Sequence, residues 1–118
     1  MAGGKWRTRI GAAAELDFAN ILKWTVENFG ERRSRIYRDT LVQAIEELAA
    51  DPYLVASQTR DEILPGFRTL HVGRRGRRGR HLLLYRVVRG EIVEITRILH
   101  DSMDLQRHTS FPTDDNKE

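Results

Sequence analysis

The side chains best suited to proton and phosphate chemistry crowd the last third of the chain. His100-Asp101-Ser102-Met103-Asp104 follows Arg97 closely, and Arg86 lies one strand earlier. Cleaving a phosphodiester needs a base near the attacking hydroxyl, cations for the charge that builds on phosphorus, and an acid for the leaving oxygen. Arg86, Arg97 and His100 are the residue types that could share that work. A catalytic His100 needs a second proton-transfer group, and the sequence nominates Asp101, Tyr85 and His71. The alternative is structural: Arg97 pairs with a carboxylate of the first helix, Glu15 or Asp17, and His100 caps a turn.

A second cationic feature lies just upstream. Six arginines and no acid occur between Arg68 and Arg80, five of them in Gly73-Arg74-Arg75-Gly76-Arg77-Arg78-Gly79-Arg80. Charge at that density favours an anionic partner, either nucleic acid or an acidic protein segment. The stretch has no aromatic residue, so it suits phosphate contact rather than base stacking. A solvated loop with no partner is the simpler alternative.

The 118 residues, 40% apolar and 31% charged, suit one small domain with a modest core. No apolar run approaches a membrane span. The basic N-terminus has no apolar stretch behind it, so a secretory signal is not expected. There is no cysteine, and the four histidines are not closely paired in sequence. No metal or other cofactor is therefore expected, and a cytoplasmic protein is the default.

These residues must be positioned by a small set of elements. Residues 5–10 alternate as a short strand, placed at a sheet edge. Gly11 opens a helix over 12–29 with a stripe of Ala14, Phe18, Ile21, Leu22, Thr25, Val26 and Phe29. Gly30 suits the C′ position. A second helix over 31–50 presents Tyr37, Leu41, Ala44, Ile45 and Leu48, and Asp51-Pro52 stops it. Phe18, Phe29 and Tyr37 read as core, whereas Trp24 and Ile36 lie off their stripes and suggest an interface. A loop over 51–66 leads to a strand over 67–72 and then to the arginine turn. Two final strands, 81–88 and 91–100, flank a two-residue turn, Arg89-Gly90. The expected fold is α+β, ordered β-α-α-β-β-β, with a helical hairpin packed on a small, curved, mainly antiparallel sheet. Residues 1–108 form the expected domain and 109–118 a disordered polar tail.

The run from Tyr85-Arg86-Val87 to Arg97-Ile98-Leu99-His100, with Met103-Asp104 and Arg107-His108 behind it, resembles the C-terminal signature of ParE-type toxins. These belong to the RelE/ParE toxin–antitoxin superfamily. Ala14-Glu15-Leu16-Asp17, Gly30, Tyr37 and Gly66-Phe67-Arg68 extend the resemblance over residues 7–108. It implies the toxin of a type II module that inhibits DNA gyrase by binding, without catalysis of its own. It also implies a hetero-oligomer with a cognate antitoxin that wraps helix and sheet surfaces. Trp24 and Ile36 are the expected antitoxin contacts. Arg97, His100, Asp101 and Met103, with Arg74, Arg75, Arg77 and Arg78, are the expected target contacts. The alternative within the superfamily is a RelE-like, ribosome-dependent mRNA endonuclease using Arg86, Arg97 and His100. RelE-type proteins place a basic residue three positions before the central-strand tyrosine, where this chain has Leu82.

Overall fold

The computed structural model describes residues 6–103 and 105. Asp104, Arg107, His108 and the tail 109–118 lie outside the described residues. The elements are β1 (Arg7–Ile10), α1 (Ala12–Phe29), α2 (Glu31–Ala50), β2 (Gln58–Thr59), β3 (Phe67–His71), β4 (His81–Val88) and β5 (Ile92–His100). They form an α+β fold with two helices on a five-stranded sheet ordered β1-β5-β4-β3-β2. β1 runs parallel to β5 at one edge, and the remaining pairs are antiparallel.

The helix boundaries follow from glycine and proline chemistry. Gly11 caps α1 in an extended conformation without a side-chain hydrogen bond. Gly30, at φ 94°, ends α1 and begins α2, a conformation that costs glycine little and other residues more. Asp51, just before Pro52, ends α2. Of the two helices α2 buries more side chains, among them Leu41, Ala44, Ile45 and Leu48. With Leu70, Val72, Leu83, Tyr85, Val93, Ile95 and Ile98 they form the main core between helices and sheet. Phe67, Leu82, Leu84 and Leu99 form a smaller cluster with Leu64 and Leu105.

Four details differ from the sequence reading. The loop after α2 contains β2, a two-residue strand that extends the sheet beyond β3. Val88 pairs with Ile92, so three residues rather than two close the last hairpin. Gly90 and Glu91 both take positive φ there, 83° and 59°, which removes Glu91 from the strand. The sequence of β5 suggests strict alternation, Ile92, Glu94 and Thr96 against Val93, Ile95 and Arg97, and this also breaks. Leu84 pairs with Arg97 but Tyr85 pairs with Ile95, so Thr96 is an extra residue, a bulge. The bulge moves Ile98, instead of Arg97, into the core with Val93 and Ile95. Finally, Phe29 is not core: it is 59% exposed, because α1 runs past the sheet where it meets the turn into α2.

Candidate functional site

The hairpin register brings His81 opposite His100 at one end of the sheet. Their rings pack edge to face with centroids 5.3 Å apart. Tyr37, on α2, reaches the same place: its hydroxyl accepts from the Arg80 N–H at 3.0 Å and lies 2.7 Å from His81 Nδ1. Asp101 completes the group, 2.9 Å from His71 Nε2 and bound through both oxygens to Arg80. Hydrogen bonds from Arg80 and His71 hold the Asp101 carboxyl down at about 2. Burial, followed by the neighbouring His100 imidazole, pushes His81 down to about 4. Burial raises Tyr37.

The hydrogen bonds assign the proton positions on these rings. Gly73 N–H donates to His71 Nδ1, and Ser102 N–H donates to His100 Nδ1. The Tyr37 hydroxyl occupies His81 Nδ1 at 2.7 Å. His71 and His100 are thus held with Nδ1 as acceptor and Nε2 carrying the hydrogen. A general base must offer a free ring nitrogen to its substrate. The site instead presents N–H and guanidinium donors around one carboxylate, an arrangement suited to gripping a polar partner.

The residues nominated for cleavage are not assembled. Arg86 lies five positions along β4 from His81, about 17 Å away at the rise of an extended strand. It pairs with Glu94 at 2.8 Å and holds that carboxyl low. Arg97 binds Asp17 of α1 at 2.8 and 3.0 Å, the helix-carboxylate pairing expected of it. The same carboxylate accepts the Ile98 N–H at 2.9 Å, just beyond the last β1–β5 pair. Asp17 therefore takes over where β1 stops hydrogen-bonding to β5. His100 caps its own turn through Ser102. Of its nominated partners, Asp101 is adjacent at 3.6 Å and His71 reaches Asp101 rather than the His100 ring. Tyr85 is fully buried and donates to the Pro52 carbonyl, so it is out of reach. Met103 is exposed beside this end, its N–H on the His100 carbonyl.

The arginine turn is anchored rather than loose. Glu47 of α2 accepts Arg74 at 3.0 Å, Arg75 at 3.2 Å and Arg77 at 3.0 Å. Arg77 has only 14% of its side chain exposed. Arg78 is exposed and has no ion pair among the described residues. Sequence reasoning missed Glu47 and His81, and it read Tyr37 only as core and Arg80 only as part of the basic turn. The single available signal was His81 opening the strand that pairs with the one ending in His100.

The outer side of the helical hairpin forms a different surface. Trp24 and Ile36 are 56% and 50% exposed, as their off-stripe positions imply. Phe29 packs edge to face on Trp24 with centroids 5.6 Å apart. A shallow groove between the helices is lined by Leu22, Val26, Glu31, Ser34, Arg35 and Arg38. Its floor is apolar, and two arginines stand against one glutamate among its lining residues.

Comparison with known proteins is consistent across sequence and structure. Residues 9–105 match the family model described as the ParE toxin of the type II toxin–antitoxin system parDE. The chain is 31% identical to Toxin ParE1 of Mycobacterium tuberculosis over 102 residues, covering 86% of this chain and 96% of the relative. It is 30% identical to Toxin ParE1 of Caulobacter vibrioides, covering 85% and 94%. Its fold is similar to a chain of the chromosomal ParDE toxin–antitoxin system from P. aeruginosa, with a TM-score of 0.67 at 21% identity, covering 81% of this chain and 96% of that one. It is also similar to a chain of the RelBE2 toxin–antitoxin complex from M. tuberculosis, with a TM-score of 0.54 at 24% identity, covering 81% and 98%.

Proposed function

The chain belongs to the ParE toxin family of type II toxin–antitoxin systems, and from that membership we propose that it inhibits DNA gyrase by binding and is neutralised by a cognate antitoxin. The observation that favours binding over cleavage is the state of the sheet-end histidines. Their Nδ1 atoms are all occupied, while the arginines a nuclease would need are engaged elsewhere by Asp17 and Glu94. The gyrase contact surface proposed is the sheet end, with Met103 exposed, His100 and Asp101 partly exposed, and Arg97 holding the strand that carries them. The antitoxin is proposed to lie on the helical hairpin, over Trp24, Phe29 and Ile36 and into the groove rimmed by Arg35 and Arg38. An amphipathic, acidic segment fits that surface by both apolar contact and charge.

The test is expression in a host lacking the antitoxin. Growth arrest with relaxed plasmid DNA, relieved by co-expressing the adjacent antitoxin, is the expected result. Arrest with supercoiled plasmid and fragmented messenger RNA would move the protein to the cleavage class.

A further inference from the structure

We infer that the arginine turn is a preformed cationic lobe that binds the phosphate backbone of duplex nucleic acid, with Arg75, Arg78 and Arg80 as the contacting cations and Glu47 as the carboxylate that anchors the turn through Arg74, Arg75 and Arg77. The inference stands apart from the gyrase reading, since a chain that leaves supercoiling untouched can still bind a duplex.

Order in the turn is the first support. Val72 N–H donates to the His81 carbonyl, Arg74 N–H to Val72, Arg77 N–H to Arg74, and Asp101 N–H to Arg80. Arg80 N–H donates to Tyr37 on α2. Gly79 lies so close to α2 that a Cβ there would stand 3.1 Å from the Tyr37 hydroxyl and 2.5 Å from Val72 Cγ2. A solvated glycine–arginine loop has no reason to carry these ties. They fix where its cations stand before any partner arrives, which removes part of the ordering cost of binding.

The second support is charge. Five guanidiniums in the turn face two carboxylates, Glu47 and Asp101. The other α2 side chains that reach the turn are neutral: Gln43, 3.4 Å from Arg77, and Tyr37. Arg74 and Arg77 are turned inward onto Glu47. Arg75 and Arg80 touch the carboxylates but keep 71% and 68% of their side chains exposed. Arg78 is exposed as well. The lobe thus shows solvent an excess of guanidinium, the group that pairs phosphate through two parallel N–H bonds.

The third support selects the form of the ligand. Single-stranded nucleic acid is held by aromatic platforms on which bases stack. Residues 73–80 contain none. A surface of donors without stacking groups reads phosphates, and such binding is insensitive to sequence and steeply dependent on salt.

The experiment measures anisotropy of a short labelled DNA duplex titrated with the full chain across a range of salt. Three arms run beside it: a single-stranded RNA of equal length, a poly-glutamate peptide, and the variants, each checked by thermal melting. The expected wild-type result is duplex binding whose log–log salt slope is about −2 to −3, for two to three phosphates neutralised. R75Q/R78Q, two exposed positions, should lower affinity at least tenfold and flatten the slope by about 2. Glu47→Gln is the sharper test, because it raises the net charge. A positioning role predicts weaker duplex binding in this variant, whereas attraction by charge alone predicts tighter binding. Absent salt-dependent binding, an R75Q/R78Q variant that binds as well as wild type, or tighter binding by Glu47→Gln would each overturn the inference. Stronger binding to the peptide or to single-stranded RNA would overturn the choice of ligand.

Discussion

Single carboxylates organise this molecule. Asp17 serves the Arg97 guanidinium and the Ile98 amide together, and Glu47 serves three arginines. Pairing of Arg97 with a carboxylate early in α1 was legible in sequence as Glu15 or Asp17, and the structure selects Asp17. Glu47 was not legible, since nothing in its helical context marks it as facing a loop 27 to 30 positions away. Asp17→Ala should destabilise the fold by about 2–4 kcal/mol, because it leaves a half-buried guanidinium and a strand amide without their acceptor. Urea unfolding followed by circular dichroism measures this, and a midpoint equal to wild type contradicts it. His81 gives a prediction in pH. Its folded value of about 4 lies below the ordinary 6.5, so between these values the unfolded chain takes up a proton that the folded chain refuses. The His81 contribution is complete above 6.5 and is lost as pH falls toward 4. Asp101 acts lower: its contribution is complete above 3.8 and is lost toward about 2. His81→Gln should therefore flatten the wild-type decline in urea midpoint between pH 7 and about 4.5 while leaving the decline below it.

At the scale of elements, both helices and the three longer strands were readable from periodicity, with Gly11, Gly30 and Pro52 marking ends. Three features were not. β2 is two residues long and exists only because β3 offers it an edge. The extra residue in the β4–β5 turn depends on Glu91 accepting a left-handed conformation, which composition does not announce. The Thr96 bulge is invisible because Arg97 and Ile98 occupy plausible alternating positions until the register is known. Phe29 misled for a related reason: a helix stripe says which side is apolar, not how far along the helix the sheet extends. Docking of the arginine turn on α2 is the element-level contact most open to test. Gly79→Ala places a methyl carbon against Val72, a fully buried side chain, and close to the Tyr37 hydroxyl. It should cost about 1–3 kcal/mol in urea unfolding and shift the His81 and Tyr37 ring resonances. Unchanged spectra would show that the turn is not seated on the helix.

The whole molecule presents two surfaces of different chemistry. The helical hairpin offers Trp24, Phe29 and Ile36, and the sheet end offers donors and guanidiniums. The first was legible from Trp24 and Ile36 lying off their stripes. The second was half legible: His100 and Asp101 stood out in sequence, but His81, Tyr37 and Arg80 join them only through pairing and helix packing. If the hairpin carries the antitoxin, Trp24→Ala/Ile36→Ala should weaken antitoxin binding by tenfold or more, since exposed aromatic anchors dominate such interfaces. Their thermal stability should stay near wild type, because both side chains are half exposed. Calorimetric titration with the antitoxin reads the first, and equal affinity would move the interface elsewhere. The proposed inhibition of gyrase by binding is tested most directly by DNA supercoiling with purified gyrase and this protein added, beside a translation reaction under the same conditions. Loss of supercoiling with translation and messenger RNA intact is the predicted result. Undisturbed supercoiling with cleaved messages would contradict it.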